Sequence, residues 1–305
     1  MGQCVATNTF KRLELTDRDL ILPYLRRFPE NESSECTFSN LFIWADGDDV
    51  RWLIRDDTLL IHTLDANRSP CLMMAFPHPE CLCEGLELAV SVSRQNDGPF
   101  RMCSLPDWYV ARMEACSPGR FVFEREPHHD DYVYETSALI NLQGRDLHAK
   151  RNHINKFNNL FQGRYSFEEY TLENFAECMD AYYRWFSEHG EDAELQPERL
   201  SVENALRNCA ALGLRGGLIR VDGKVEAFTI GERITSDMCL IHIEKANTHV
   251  QGLFSVINQQ YLQYIFPDTT WVNREEDMGI EGLRRAKRSY RPARMIEKYG
   301  AVLAE

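Results

Sequence analysis

The sequence predicts an α/β protein with mixed (α+β) sheets, organised as two domains in tandem. Three observations predict it. At 305 residues the chain exceeds the roughly 100–150 residues usual for one domain. Short apolar runs bounded by polar turns are interleaved with longer segments of helical spacing, so strands and helices alternate along the chain. The order of these elements in the first half recurs in the second. With 44% hydrophobic residues and aromatics spread throughout, there is enough apolar material for a packed core.

In the first half, Leu13 to Phe28 reads as a capped amphipathic helix, with Asp17 and Asp19 ahead of Leu20, Ile21, Leu25 and Phe28. Cys36 to Trp44, dense in aromatics, reads as a short buried segment. Arg51 to Ile54, Thr58 to Thr63 and Cys71 to Phe76 form an antiparallel meander, turning first at Asp56-Asp57. Glu80 to Arg94 has helical spacing, Phe100 to Leu105 is strand-like, Trp108 to Ala115 is a short helix, and Tyr132 to Leu142 reads as a strand.

Gly144 marks the expected boundary, giving domains 1–144 and 145–305. Arg145 to Phe161 is the next helix, Tyr165 to Tyr170 a strand, and Leu172 to Glu188 and Pro197 to Leu212 two more helices. Leu218 to Val221, Asp222-Gly223 and Lys224 to Ile230 spell a hairpin. Met238 to Ile243 continues the meander, Gly252 to Phe266 is a helix, Thr270 to Val272 a strand, and Ile280 to Ser289 a last helix that Pro292 stops.

Composition narrows the function classes. A net charge of -13 argues against a general nucleic-acid-coating role, because that affinity comes from Lys and Arg replacing phosphate counterions. No run approaches the roughly 18–20 apolar residues that cross a bilayer, and Met1 to Phe10 lacks the order of a signal peptide. Gly2 does not complete a myristoylation pattern, since Ala6 stands where Ser or Thr is needed. The expectation is a bacterial-type, soluble, cytoplasmic protein. Ten irregularly spaced cysteines, many beside apolar residues, read as reduced core filler. Cys81 and Cys83 lack a second pair at zinc spacing, so no metal is expected.

The element order resembles the GNAT (acyl-CoA N-acyltransferase) fold in both halves. A more specific resemblance, to the DUF2156 family with the fold of phosphatidylglycerol lysyltransferase C-terminal domains, rests on Glu35 to Trp44, Lys150 to Phe157 and Val272 to Pro292. Relatives with this tandem fold include lipid aminoacylating enzymes and Fem-type peptidoglycan transferases, which use charged tRNA. The resemblance implies an acyl-site lysine within a Gly-Leu-x-x-Phe-Lys-x-x-Phe-type segment, and the matching residue is Lys287.

Attack on an ester or thioester drives negative charge onto the carbonyl oxygen, which a cation such as Lys287 stabilises. Glu244 and Glu275 are the candidate bases, with His242 two residues before Glu244 and expected on the same face of the strand. Arg284 and Arg288 share a helix face with Lys287, while Tyr290 turns inward. With Asn273, Glu276 and Asp277 after the last strand, they are expected to bind substrate, although Asp277 equally suits a helix cap. Arg151, His153 and Lys156 form a second basic group, lining a cleft or coating a linker.

Gln251 and Gly252 stand where GNAT enzymes hold the coenzyme A pyrophosphate, but the second glycine spacing fails. The sequence therefore points to aminoacyl transfer from charged tRNA to an amine or hydroxyl of a small molecule or peptide, catalysed in the C-terminal half. Two alternatives stay open: an acyl-CoA-dependent N-acyltransferase with a degenerate loop, and a non-catalytic small-ligand-binding protein on the same fold.

Overall fold

The structure, a computed structural model, describes residues 9–65, 68–95, 99–189 and 195–305. The leader and myristoylation readings fall on residues outside this set. In chain order the first elements are β1 (Lys11–Arg12), α1 (Arg18–Leu25), α2 (Phe38–Ile43), α3 (Ala45–Asp48), β2 (Arg51–Arg55), β3 (Thr58–Leu64) and β4 (Pro70–Phe76). They are followed by α4 (Leu82–Gln95), β5 (Arg101–Pro106), α5 (Asp107–Cys116), β6 (Phe121–Arg125), β7 (Asp131–Glu135) and α6 (Thr136–Asn141). The second half holds α7 (His148–Leu160), β8 (Tyr165–Glu169), α8 (Phe175–His189), α9 (Leu195–Arg207), α10 (Cys209–Leu212), β9 (Arg215–Val221), β10 (Lys224–Arg233) and β11 (Met238–Ala246). It closes with α11 (Leu253–Ile265), β12 (Trp271–Asn273), α12 (Glu281–Arg288), β13 (Arg294–Ile296) and β14 (Lys298–Leu303).

Each of two seven-stranded mixed sheets belongs to one compact unit. The first has strand order β1-β2-β3-β4-β5-β14-β6, and the second β13-β7-β12-β11-β10-β9-β8. The first unit ends at Asp131 and takes back residues 296–305; the second is Tyr132–Met295. The division therefore falls earlier than Gly144, because β7 hydrogen-bonds along β12, with Val272 opposite Tyr134. The last strand returns to the first sheet, where β14 lies between β5 and β6.

In the first unit a buried ionic cluster fixes that returning strand. The Lys298 ammonium, fully buried, meets Glu35 and lies 3.2 Å from Asp131. Burial opposes its charge, but the two carboxylates outweigh burial and hold its pKa above the ordinary lysine range. The Ser34 hydroxyl donates to Asp131 at 2.7 Å. Thr37 then caps α2 by accepting from the Asn40 amide at 3.1 Å, so Cys36 to Trp44 is a buried helical turn.

The thiols depart from expectation. Cys71 bridges to Cys103, joining β4 to β5, and Cys83 bridges to Cys116, joining α4 to α5. The partners are 32 and 33 residues apart and are brought together by the fold, so sequence spacing holds no trace of them.

In the second unit α11 lies at the core, with Leu253, Val256, Ile257 and Tyr261 buried against Ile219, Ile241 and Val272. The hairpin between β9 and β10 turns at Asp222 and Gly223, both in the left-handed region as a type I′ turn requires. Tyr132 to Leu142 is a strand only to Glu135; it then turns into α6, which stops at Leu142 with a φ of 49°. The apolar run Ala138-Leu139-Ile140 suits either element, and periodicity does not separate them over so short a span. The strands β1, β6, β13 and β14 have no counterpart among the elements the sequence predicts.

Candidate functional site

The site grows from an irregularity in β11. Ile243 pairs with Ile230 and Ile241 with Gly231, which leaves His242 as the extra residue of a β-bulge. The bulge switches the parity of the strand, so that Ile241 and Ala246 both pack into the core beside α11. Glu244 turns the same way and accepts a hydrogen bond from Asn258 of α11 at 2.9 Å, whereas His242 reaches Glu232, so the extra residue separates two side chains that alternation alone places on one face. Gly231 is required opposite the bulge, since a Cβ there would collide with the Leu240 carbonyl oxygen. On its other side β11 pairs with β12 only as far as Leu240 and Asn273. Beyond that pair, side chains from β11 meet side chains from the segment after β12.

The first meeting is ionic. His242, with no exposed side-chain surface, donates from Nδ1 to Glu275 at 2.8 Å and from Nε2 to Glu232 at 3.1 Å. Burial disfavours the imidazolium, but hydrogen bonds to Glu232 and Glu275 outweigh burial and raise its pKa to about 9. At neutral pH both ring nitrogens carry protons, so His242 is a fixed cation with no lone pair to act as a base.

The second meeting lies beside it. Arg274 donates from Nη2 to Glu244 at 2.9 Å, and its guanidinium lies 5.0 Å from the Tyr290 ring and 5.7 Å from that of Tyr134. Two buried atoms around Glu244 have no hydrogen-bond partner among the described residues: Nη1 of Arg274, a donor, and Oδ1 of Asn258, an acceptor. Lys150, in the first turn of α7, places its ammonium 4.0 Å from the centre of the Tyr290 ring. Burial and then the Arg274 charge lower its pKa to about 8, with Glu244 pulling the other way.

The segment after β12 is held by its own polar groups. The Asn273 carboxamide oxygen accepts from the Glu275 amide at 2.7 Å, and Glu275 takes a φ of 57°. Lys287 donates to the carbonyls of Arg274, Glu275 and Glu276, at 3.0 Å and 2.5 Å for the last two. Its three ammonium protons are thus turned onto backbone, and it acts on the site by fixing Arg274 and Glu275 in place. Asp277 accepts both prongs of the Arg284 fork, at 2.8 and 2.9 Å, and the Tyr132 hydroxyl at 2.6 Å. Burial would raise this carboxyl, but Arg284, Tyr132 and the Gly279 amide hold it at about 2.

The structure therefore gathers Glu244, Glu275, Asn273, Lys287 and Tyr290 of the residues singled out in the sequence, Tyr290 through its hydroxyl on Ser255 at 3.1 Å. Asp277 and Arg284 brace the same segment from a buried turn, and Glu276 contributes its carbonyl. Arg288 is exposed. Arg151 donates to the carbonyls of Leu142 and Gly144, closing the end of α6, while His153 and Lys156 are exposed on α7. The residues missed are Arg274, Asn258 and Lys150. The only sequence signal for them is that Lys150 and Arg274 fall inside the segments carrying the family resemblance. A shallow groove of about 440 Å³ along β8 and α11, lined by Tyr165, Phe167, Gln260 and Tyr264, includes none of these residues.

The coenzyme A reading meets a poor fit. The amides of Leu253 and Ser255 donate to the carbonyls of Val250 and Gly252, within their own turn. Gly252, at a φ of 88°, packs so close to α7 that a Cβ would run into the His153 carbonyl. A pyrophosphate cradle needs amides pointing outward and an open glycine face.

Comparison with known proteins places the chain. It belongs to the family described as Phosphatidylglycerol lysyltransferase, C-terminal, which matches residues 26–302. It is similar to a conserved protein of unknown function from Bacteroides thetaiotaomicron, at 34% identity and a TM-score of 0.87, over 97% of this chain and 99% of that one. L-PGS from Bacillus licheniformis shares the fold at 12% identity and a TM-score of 0.68, covering 94% and 91%. So does a tandem GNAT protein from the clavulanic acid biosynthesis pathway, at 12% identity and 0.51, covering 97% and 98%. The two units are thus GNAT-like domains in tandem. An uncharacterized protein of Mycoplasmoides gallisepticum is 22% identical over 170 residues, and that match spans about half of each chain, 55% and 54%.

Proposed function

We propose that this member of the phosphatidylglycerol lysyltransferase C-terminal family transfers an aminoacyl group, carried as an ester on charged tRNA, to an amine or hydroxyl acceptor. The reaction centre in this reading is the place where β11 and β12 part. The observation that carries the reading is the pair of unpartnered buried atoms around Glu244, one donor on Arg274 and one acceptor on Asn258. Buried polar atoms are nearly always satisfied, so a pair left open is a place for a ligand. An aminoacyl ester brings both complements: a carbonyl oxygen for Arg274 and an α-ammonium for Asn258 and Glu244. An acetyl group brings only the first.

The guanidinium stands where charge would develop on that oxygen, in a site largely shielded from water, which is where such a cation lowers a barrier most. Lys287 serves this chemistry by holding the Arg274 carbonyl, so the role read for it passes to its neighbour. Exposed Arg285, Arg288 and Arg291 supply a local cationic surface for tRNA phosphates on an otherwise acidic protein. The closed glycine face at Gly252, packed on the His153 carbonyl, weighs against coenzyme A. Among the described residues no helix is long and apolar enough to cross a membrane.

Melting temperatures test the proposal, since a ligand that binds only the folded state raises them. Charged tRNA is expected to raise the melting temperature above that seen with uncharged tRNA, and Arg274→Gln to erase the difference. A rise with coenzyme A or acetyl-CoA, and none with charged tRNA, would replace this reading with the acyl-CoA alternative.

A further inference from the structure

The reaction just proposed needs a base, and the carboxylates read for that part are both engaged. Glu275 holds the His242 imidazolium, and Glu244 receives Arg274 on one oxygen and Asn258 on the other. Lys150 differs from them and from Lys287. Its ammonium makes no hydrogen bond or ion pair among the described residues and rests only on the face of Tyr290. The Arg274 guanidinium lies 5.0 Å from the centre of the same ring and acts electrostatically on Lys150, so the amine and the group assigned to the acyl carbonyl share Tyr290 as a neighbour.

We propose that Lys150 is the base of the transfer: in its amine form it takes the proton of the acceptor's attacking nitrogen or oxygen and returns it to the departing hydroxyl. The inference rests on the aminoacyl-ester reading. The acceptor atom forms a bond to the ester carbonyl carbon, and the carbonyl electron pair moves onto the oxygen facing Arg274. The acceptor's proton passes to the Lys150 amine. When the tetrahedral centre collapses, the carbon–oxygen bond to the tRNA ribose breaks, and the ribose oxygen receives the proton from Lys150. The products are an acylated acceptor and uncharged tRNA, and Lys150 is regenerated.

The groups facing Lys150 account for its suitability. Partial burial disfavours its proton most, Arg274 disfavours it further and Glu244 favours it, bringing its pKa to about 8. A base titrating near the working pH is partly unprotonated and still basic enough to accept a proton. Ser255 and Asn258, the α11 side chains bonded to Tyr290 and Glu244, are uncharged.

Two measurements on the full chain decide it. Peptide mass spectrometry after brief acetic anhydride labelling across pH reads the titration of Lys150 itself, with the other lysines as internal controls. A midpoint near 8 that moves upward in Arg274→Gln is expected; a midpoint in the ordinary lysine range overturns the proposal whatever the donor is. The second measurement follows aminoacyl hydroxamate formed from charged tRNA with hydroxylamine standing in for the acceptor. Lys150→Arg, which keeps a charge and loses the base, is expected to lower the rate about 100-fold with little change in KM for charged tRNA. It should also remove the rise in rate between pH 7 and 8, and Lys150→Gln should behave alike. Full activity in both variants overturns the proposal. If the wild-type protein is inert towards charged tRNA, the donor reading fails, and the labelling midpoint alone decides whether Lys150 stands as a reactive amine for another ester.

Discussion

The ammonium of Lys287 sits on three backbone carbonyls, and removing it strands those of Arg274 and Glu276, while that of Glu275 keeps the Tyr132 amide at 3.2 Å. Lys287→Ala is expected to cost about 2 kcal/mol of stability in a urea titration, because each of the two carbonyls left without a donor carries a desolvation penalty. Loss of activity in that variant should therefore accompany loss of stability, whereas Lys150→Arg should separate the two. His242 makes a second prediction. Its pKa is raised from 6.5 to about 9 on folding, so its contribution is complete below about pH 6.5 and is lost as the pH rises through 9. Over that window the stability difference between wild type and His242→Gln should shrink by on the order of 3 kcal/mol. Lys150 works in the opposite sense above about pH 8, since its folded pKa lies below its unfolded one. The comparison with His242→Gln, which keeps Lys150, isolates the histidine. A pH-independent difference would mean that the imidazolium is not held between the two carboxylates.

At the scale of elements, the site depends on one extra residue in β11. The bulge turns Glu244 towards Asn258, and Gly231 makes room for it. Gly231→Ala should destabilise the second unit by about 2–3 kcal/mol through overpacking and should move Glu244 away from Asn258. Tryptophan fluorescence through denaturation and a crystal structure of the variant would check both. Such a bulge is not legible in Met238 to Ile243, because Met238 to Ile241 are apolar on both faces and leave no alternation whose phase could change. The hairpin at Asp222-Gly223 was legible, since two left-handed residues in a row leave a chemical signature. The run Ala138 to Ile140 was misread because a short apolar stretch suits helix and strand alike. Arg274 and Asn258 are not legible in the sequence, because their meaning lies in which of their buried atoms the fold leaves unpaired.

Across the whole molecule, the tandem repeat was legible from the order of elements, and the division between its units was not. Residues 131–135 and 298–303 each belong to a sheet built mostly from the other half of the sequence. Strand pairing over such separations is set by the fold rather than by a local boundary signal such as Gly144. A fragment of residues 145–305 is therefore expected to aggregate or unfold without a cooperative transition, since its sheet lacks β7 beside β12. Residues 132–295 are expected to unfold cooperatively in a circular dichroism melt. The reverse result would restore the boundary read from the sequence. The Lys298 cluster makes the parallel point for the first unit, which needs the returning strand to neutralise Glu35 and Asp131.

The central claim is that the acyl group is handled where β11 and β12 part, between Arg274 and Asn258. A crystal structure with a non-hydrolysable 3′-aminoacylamino-adenosine, which mimics the charged end of tRNA, tests it most directly. The account predicts the acyl carbonyl oxygen within hydrogen-bond distance of Nη1 of Arg274, and the α-ammonium at Oδ1 of Asn258. An analogue seated instead at the N-terminal turn of α11, or in the groove along β8, would contradict it.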